Sequence, residues 1–148
     1  MHRIDNLVFL IFINLKVMEP KMIWANLASS DLERTTQFYI DLGFEPNGNR
    51  TEELSSFLFS KNKFIIHFFL KARFESSARS EAANLEKQNE IIFSISAASV
   101  TEVEEWYLKV KKAGGTIYAE PEKFEKGYTF GFADPDGHKF NFLYWPGM

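Results

Sequence analysis

Few side chains of this 148-residue chain could do chemistry, since it has no cysteine and three histidines, His2, His67 and His138. His67 lies in the apolar run FIIHFFL, and Glu90 begins the run EIIFSISA. Imidazole and carboxylate side chains can act as acids and bases, and both are good ligands for zinc, nickel, iron or manganese. The absence of cysteine excludes disulfide scaffolds, thiolate metal sites and cysteine nucleophiles.

Each of these candidates also has a purely structural interpretation. A histidine in an apolar strand is often a half-buried, hydrogen-bonded sheet residue, and Glu90 follows two polar residues, which is typical of a solvated strand end. A direct hydrogen bond is a further alternative, in which the carboxylate of Glu90 orients the His67 imidazole. We expect His138, in the turn DPDGH, and His2 to be structural or exposed.

The composition is that of an ordinary globular protein of one domain, with 45% apolar and 25% charged residues. The 17 basic and 20 acidic residues give a net charge of −3, which lacks the basic excess expected of a nucleic-acid binder. The 16 phenylalanines, beside 5 tyrosines and 3 tryptophans, predict an aromatic core, an aromatic-lined cleft or both.

Residues 1–20 are predicted to form an apolar arm outside the domain. Residues 7–13 read LVFLIFI, which is far shorter than the ~20 apolar residues that cross a bilayer, and no small-residue cleavage site comes after it. We expect this run to form a buried strand that pairs with a sheet edge or with a partner subunit. Without a targeting signal or cysteine, a cytoplasmic location with no membrane contact is expected.

From residue 21 onward the pattern predicts the same five elements twice, in the order strand, helix, strand, strand, strand. The first set is a strand over 22–28, a helix capped by Ser30 or Asp31 and ended by Gly43, and strands near 44–46, 55–60 and 64–70. The second is a strand over 90–97, a helix capped by Ser99 or Thr101 and ended by Gly114, and strands near 116–119, 128–133 and 139–145. Residues 75–89 indicate a linker or a surface helix. The equivalent helix starts Asp31 and Ser99 lie 68 positions apart, which indicates an internal duplication.

Three runs carry a resemblance to a known family: NLASSDLERTTQFYIDLGFEP, KKAGGTIYAEP and FADPDGHKFNFLYW. Together, in this order, they resemble the vicinal oxygen chelate superfamily, which includes glyoxalase I, bleomycin-resistance proteins and extradiol dioxygenases. The bacterial subgroup labelled "predicted lactoylglutathione lyase" is the most similar. The resemblance covers residues 21–146. It implies an α+β fold of one domain, 21–148, with βαβββ modules over about 21–74 and 90–146 that form a curled, cup-shaped mixed sheet, and it implies a homodimer.

The resemblance also implies a divalent metal that is held by one residue from each of four strands. These positions fall on Trp24, His67, Glu90 and Asn141. Only His67 and Glu90 are strong ligands, because an indole N–H is a donor and a neutral amide oxygen binds transition ions weakly. The implied site for zinc, nickel, manganese or iron is therefore incomplete, and the last-strand carboxylate of the glyoxalase I reaction is missing.

Residues two apart on a strand share a face, so the cup predicted from these positions has apolar and aromatic walls with a few polar groups, as small-molecule sites usually do. The ligand-binding residues predicted in this way are Trp24, Asn26, Phe69, Ile92, Asn141 and Leu143.

Three functions remain as hypotheses. The favoured one is a protein that binds a small molecule in the aromatic cup without chemistry, as the metal-free drug-binding branch of the superfamily does. The alternative is a metal-dependent lyase or isomerase, with His67 and Glu90 as metal ligands or as an acid–base pair. A third is an interaction module that uses the apolar arm.

Overall fold

The computed structural model describes residues 17–61 and 64–147, so the strand predicted over residues 7–13 lies outside the described residues. The strands are β1 (Trp24–Ser29), β2 (Glu45–Pro46), β3 (Leu54–Ser60), β4 (Phe64–Leu70), β5 (Ile92–Ala97), β6 (Thr116–Phe124), β7 (Gly127–Ala133) and β8 (Lys139–Tyr144). The helices are α1 (Leu32–Leu42), α2 (Lys71–Ala78) and α3 (Val100–Ala113). None of these helices is long and apolar enough to cross a membrane.

Each half of the chain forms its own open, mixed, four-stranded sheet. The strand orders are β1-β4-β3-β2 and β5-β8-β7-β6. In each sheet the first strand pairs in parallel with the last, and the other pairs are antiparallel. The α+β fold of two tandem βαβββ modules is thus confirmed. The division of the sequence into an arm and one domain stays a prediction.

The helix ends explain why the duplication is visible in the sequence. The side chain of Asp31 accepts a hydrogen bond from the backbone N–H of Arg34 at 3.0 Å, and Ser99 does the same for Glu102 at 3.0 Å. These bonds satisfy N–H groups that have no partner within the helix. The structure therefore selects Asp31 and Ser99 from the two alternatives that the sequence leaves open at each helix.

Several element boundaries differ from the predicted ones. Strand β5 begins at Ile92, so Glu90 lies outside it, and α2 begins at residue 71. Strand β6 continues to Phe124, five residues beyond the predicted end. The prediction stopped early because residues 120–123 are polar and include Pro121. Since β6 is an edge strand with register shifts at this point, it tolerates a proline there.

The inner faces of both sheets pack on α1 and α3 around one aromatic core. Tyr39 of α1 lies at its centre with 0% exposure, and its ring stacks on Phe68 with centroids 4.6 Å apart. Phe59 of the first sheet stacks on Phe140 of the second at 5.7 Å, so the two modules share this core directly. The aromatic core predicted from composition is confirmed. The other fully buried phenylalanines are Phe57, Phe130, Phe132 and Phe142.

A group of hydrogen bonds, which we call the clasp, also joins the modules. It connects Asp134 and Asp136, which follow β7, with Ser30, Thr35 and Tyr39 in or just before α1. The Tyr39 hydroxyl donates to Asp134 Oδ2 at 2.8 Å. Asp136 accepts the backbone N–H of Ser30 at 3.0 Å and the hydroxyl of Thr35 at 3.1 Å. Because these bonds connect positions about 100 residues apart, the clasp fixes the second module against the start of α1.

Candidate functional site

The first half of the predicted site lies on the outer face of the first sheet, which is turned away from the core. Asn26 of β1 lies opposite His67 of β4 in the parallel ladder. Trp24 and Phe69 share this face because alternate strand residues point to the same side. The His67 ring centroid is 6.2 Å from that of Trp24 and 6.0 Å from that of Phe69, both edge to face. The structure thus brings these four predicted residues together.

Helix α2 encloses one side of this surface. Phe74, Ser77 and Ala78 of α2 and the four strand residues line a cavity of about 430 Å³, which we call the His67 depression. Trp24 is 50% exposed beside it. The sequence analysis missed the α2 residues, because KARFESSA has no apolar stripe; its single large apolar residue, Phe74, was the only available signal.

His67 is the polar centre of this aromatic depression. Its Nδ1 atom is buried and has no hydrogen-bond partner within residues 17–61 and 64–147. Burial lowers the pKa of His67, because desolvation disfavours the charged imidazolium. A neutral imidazole has one donor and one acceptor nitrogen. An unsatisfied buried polar atom is costly, so its presence indicates a functional rather than a purely structural role for His67.

The second half of the predicted site lies on the outer face of the second sheet. Ile92, Ser94 and Asn141 line a cavity of about 270 Å³ there, together with Tyr118 and Thr129, which the sequence analysis did not identify. The Ser94 hydroxyl donates to Asn141 Oδ1 at 2.6 Å, and Asn141 Nδ2 donates to Thr129 Oγ1 at 3.2 Å. Asn141 is therefore held by hydrogen bonds on both sides of its amide.

Leu143 shares the strand face of Asn141, but it does not line this cavity. Its backbone lies opposite that of Thr129 in the β7–β8 ladder, and Thr129 does line the cavity. A binding role for Leu143 stays a prediction.

Glu90 lies apart from His67. It is exposed and precedes β5, and it lines a third cavity that Leu27 of β1 and Phe93 of β5 also line. That cavity and the His67 depression have no lining residue in common. Within one chain the structure does not bring the predicted His67–Glu90 pair together, and their roles as metal ligands or as an acid–base pair stay predictions.

The residues present do not fit the metal that the resemblance implies. Of the four implied positions, His67 offers the one strong ligand in the strands, because Trp24 can only donate and Glu90 lies in another cavity. The oxygen of Asn141 already accepts the Ser94 hydroxyl. A catalytic zinc site has about three protein ligands at one point, and these residues supply no such set.

A different acidic cluster contains ligand atoms that lie within 4.8 Å of one another, on Asp134, Asp136 and His138. Protein donors already occupy it. Asp134 accepts the Tyr39 hydroxyl, the His138 ring at 2.8 Å and two backbone N–H groups. Asp136 is occupied by Ser30 and Thr35 through the clasp. These hydrogen bonds give the cluster a structural role, which agrees with the expectation for His138.

The two outer faces do not face each other within one chain. Because the inner faces share the core, the outer faces are exposed on opposite sides of it. The His67 depression and the Asn141 cavity accordingly have no lining residue in common. Each chain therefore presents two separate half-sites rather than one cup.

Paired βαβββ modules with polar and aromatic side chains on the outer sheet faces define the class of glyoxalase-like α+β proteins. The sequence model of the Glyoxalase/Bleomycin resistance protein/Dioxygenase superfamily matches residues 21–142, and the chain belongs to this superfamily. The resemblance inferred from the sequence is thereby confirmed.

Solved structures agree with this assignment. The hypothetical protein SA1046 from S. aureus is 30% identical with a TM-score of 0.76, covering 86% of this chain and 96% of that one. A glyoxalase-related enzyme from Fulvimarina pelagi is 21% identical with a TM-score of 0.75, covering 86% and 90%. The lactoylglutathione lyase from Agrobacterium tumefaciens is 20% identical with a TM-score of 0.64, covering 88% and 100%. The last two likenesses establish the fold alone. Among curated proteins, none matches the chain.

Proposed function

We propose that the protein binds a small molecule with a planar or aromatic part in the His67 depression, without metal-dependent turnover. The observation that carries this proposal is the aromatic depression around His67, whose ring lies edge to face with those of Trp24 and Phe69 and whose Nδ1 has no partner among the residues that the structure describes. Aromatic walls supply stacking and apolar contact, while the histidine supplies one directional hydrogen bond. The missing metal ligands support binding rather than the lyase reaction.

The cup is completed in this proposal by a second copy of the chain. Apolar side chains remain exposed on both outer faces, with Trp24 at 50% on one and Ile92 at 55% and Tyr118 at 40% on the other. Exposed apolar patches of this kind are typical of interaction surfaces. In a two-fold homodimer, the His67 depression of each copy would face the Asn141 cavity of the other, which gives two equivalent sites. We further propose that this dimer is cytoplasmic.

Titration with 8-anilinonaphthalene-1-sulfonate, a planar aromatic probe, tests the binding proposal by its fluorescence. Trp24→Ala should weaken probe binding about five-fold, because one aromatic wall contributes on the order of 1 kcal/mol. The matched control is Trp145→Ala, since the Trp145 indole lies beside Phe124 and outside the depression. Equal effects of the two substitutions would contradict the proposal.

Metal content separates binding from the lyase alternative. Protein purified without chelator or metal-affinity tag should contain no stoichiometric divalent ion, and added nickel or zinc should produce no methylglyoxal–glutathione isomerase activity. About one tightly bound ion per chain, with such activity, would overturn the proposal in favour of the enzyme.

Sedimentation velocity tests the dimer. Ile92→Lys should shift the protein toward monomer, because a charge would be buried between the outer faces. Ile40→Lys is the matched control, since Ile40 is also exposed but lies on α1, away from both faces. An Ile92→Lys protein with the same sedimentation coefficient as the wild type would argue against this interface.

A further inference from the structure

A cavity between the two modules contains His138 and is separate from the His67 depression. It has a volume of about 380 Å³, within the range of small-molecule sites. The linker between α2 and β5 passes over it, and its apolar walls are Leu27, Leu85, Ile91 and Phe93. We call it the linker cavity. Ligand binding in this cavity would be independent of the proposed binding at His67, because the two cavities share no lining residue.

His138 brings a fixed imidazole to this cavity. It is 7% exposed, and its Nδ1 lies 2.8 Å from Asp134 Oδ2. The same carboxylate accepts the Tyr39 hydroxyl and the backbone N–H groups of Asp136 and His138. Because a carboxylate is an acceptor, the ring must donate from Nδ1–H, so the neutral ring has its lone pair on Nε2.

The Nε2 atom of His138 has no hydrogen-bond partner in the part of the chain that the structure describes. Since His138 lines the linker cavity and Nδ1 is occupied by Asp134, Nε2 is the ring atom left to meet a ligand there. Asp134 acts as a positioning residue, because it fixes both the tautomer and the orientation of the ring.

The other polar groups of the linker cavity include further acceptors, and Gln88 lines it with an amide that can donate or accept. Glu90 lines it with a carboxylate. Asn89 Nδ2 donates to the Leu85 carbonyl at 3.1 Å, which leaves the Asn89 side-chain oxygen available to accept. Lys139 contributes its aliphatic stem, because its ammonium lies 4.8 Å from the ring of Tyr118, which lines the Asn141 cavity instead. The cavity therefore combines apolar walls and the Gln88 amide with the acceptor Nε2 of His138 and the negative charge of Glu90.

The linker is seated firmly enough to preform this cavity. Gly137 has a positive φ of +98°, and a Cβ placed there would lie 3.0 Å from the Cβ of Leu85. Leu85 thus packs directly on the backbone of the β7–β8 turn that carries His138. A preformed cavity binds with a smaller ordering cost than one that must be assembled on binding.

We propose that the linker cavity binds a small apolar organic amine. The ammonium group donates hydrogen bonds to His138 Nε2 and to the Glu90 carboxylate, and the apolar body packs against Leu85 and Phe93. A carboxylate ligand would be repelled by the charge of Glu90, and a neutral alcohol would lack the charge interaction with Glu90. The chemical class of the ligand is therefore set by donor capacity and positive charge together.

Nitrogen-15 NMR of the histidine rings at about pH 8 tests this, with 2-phenylethylamine as the probe because an alkyl ammonium is still charged there. Saturable binding should shift the Nε2 resonance of His138 and leave that of His67 in place. The isosteric alcohol 2-phenylethanol should bind more weakly, and 3-phenylpropionate should not bind. Failure of the amine to saturate, or equal binding of amine and alcohol, would overturn the proposal.

Two variants and one control sharpen the test. Glu90→Gln should weaken amine binding about two- to five-fold, as expected for one solvent-exposed charge pair, and leave alcohol binding unchanged. Glu86→Gln is the matched control, because Glu86 lies on the same linker but does not line this cavity. Ala83→Phe, at an exposed lining position, should fill the cavity and abolish binding without lowering the thermal midpoint. Equal effects of Glu90→Gln and Glu86→Gln would contradict the assigned site.

Discussion

Removing the Tyr39 hydroxyl tests whether the clasp stabilises the pairing of the modules. Tyr39→Phe keeps the ring, and with it the stacking on Phe68 and the tilted contact with Phe57. It deletes one hydrogen bond, from the hydroxyl to Asp134 Oδ2 at 2.8 Å. The substitution therefore isolates a polar contact inside a fully buried environment.

The expected magnitude depends on the charge and burial of this contact. A hydrogen bond to a charged group contributes about 1.5–3 kcal/mol, and a buried acceptor that loses its donor is not rescued by water. Asp134 retains three donors, from His138 and two backbone groups, so we expect a loss of about 2 kcal/mol rather than the upper limit. That corresponds to about a thirty-fold change in the unfolding equilibrium.

Urea unfolding followed by circular dichroism measures this loss. The midpoint should fall with an unchanged m-value, since the surface exposed on unfolding is the same. Tyr107→Phe is the control: its hydroxyl donates to Glu120 at 2.6 Å at the surface, and its removal should leave the midpoint close to that of the wild type. If Tyr39→Phe matches the wild type, the clasp does not stabilise the fold and the reasoning fails.

Three further predictions concern pH and packing. Burial, and then the nearby Asp134, raise the pKa of Tyr39, so the folded chain keeps this proton to higher pH than the unfolded chain does. The stability contributed by this group should be complete below about pH 10 and fall above it, and alkaline unfolding should show a smaller fall for Tyr39→Phe. Burial lowers the pKa of His67, so the unfolded chain takes up this proton at a higher pH than the folded chain does. Stability should therefore decline below about pH 6.5, and an NMR titration of His67 should have its midpoint below that value. A Cβ at Gly127 would clash with the Tyr144 backbone oxygen, so Gly127→Ala should cost about 1–3 kcal/mol in thermal unfolding; an unchanged midpoint would mean that the β6–β7 hairpin can shift.

The parts of the fold that were predictable are encoded locally. The capping side chains Asp31 and Ser99 act on a backbone N–H three residues away, and Gly43 ends α1 in the left-handed conformation with φ +91°. Period-two alternation grouped Trp24 with Asn26 on β1 and His67 with Phe69 on β4, and the register of these two strands places both groups on one face. Each of these signals lies within one element.

The parts that were not predictable depend on contacts distant in sequence. Nothing local indicates that Asp136 binds the start of α1, 106 residues from Ser30. Which sheet face meets which cannot be read from alternation either, since the pattern assigns residues to faces but not faces to partners. The family resemblance grouped Glu90 with His67, whereas within one chain these residues line different cavities.

Protein concentration distinguishes the two proposed sites. The linker cavity is lined by residues of one chain, so amine binding there should have the same affinity at every protein concentration. The cup around His67 needs a second copy in our proposal, so its affinity for the naphthalene probe should fall on dilution through the dimer dissociation constant, as linkage requires. Parallel dilution of wild type and Ile92→Lys gives the decisive comparison, because the variant should show the weak affinity of the diluted wild type at all concentrations. If neither dilution nor Ile92→Lys changes the affinity for the probe, the His67 depression of a single chain is sufficient for binding. The dimeric cup would then be refuted, whereas the amine site in the linker cavity would be unaffected.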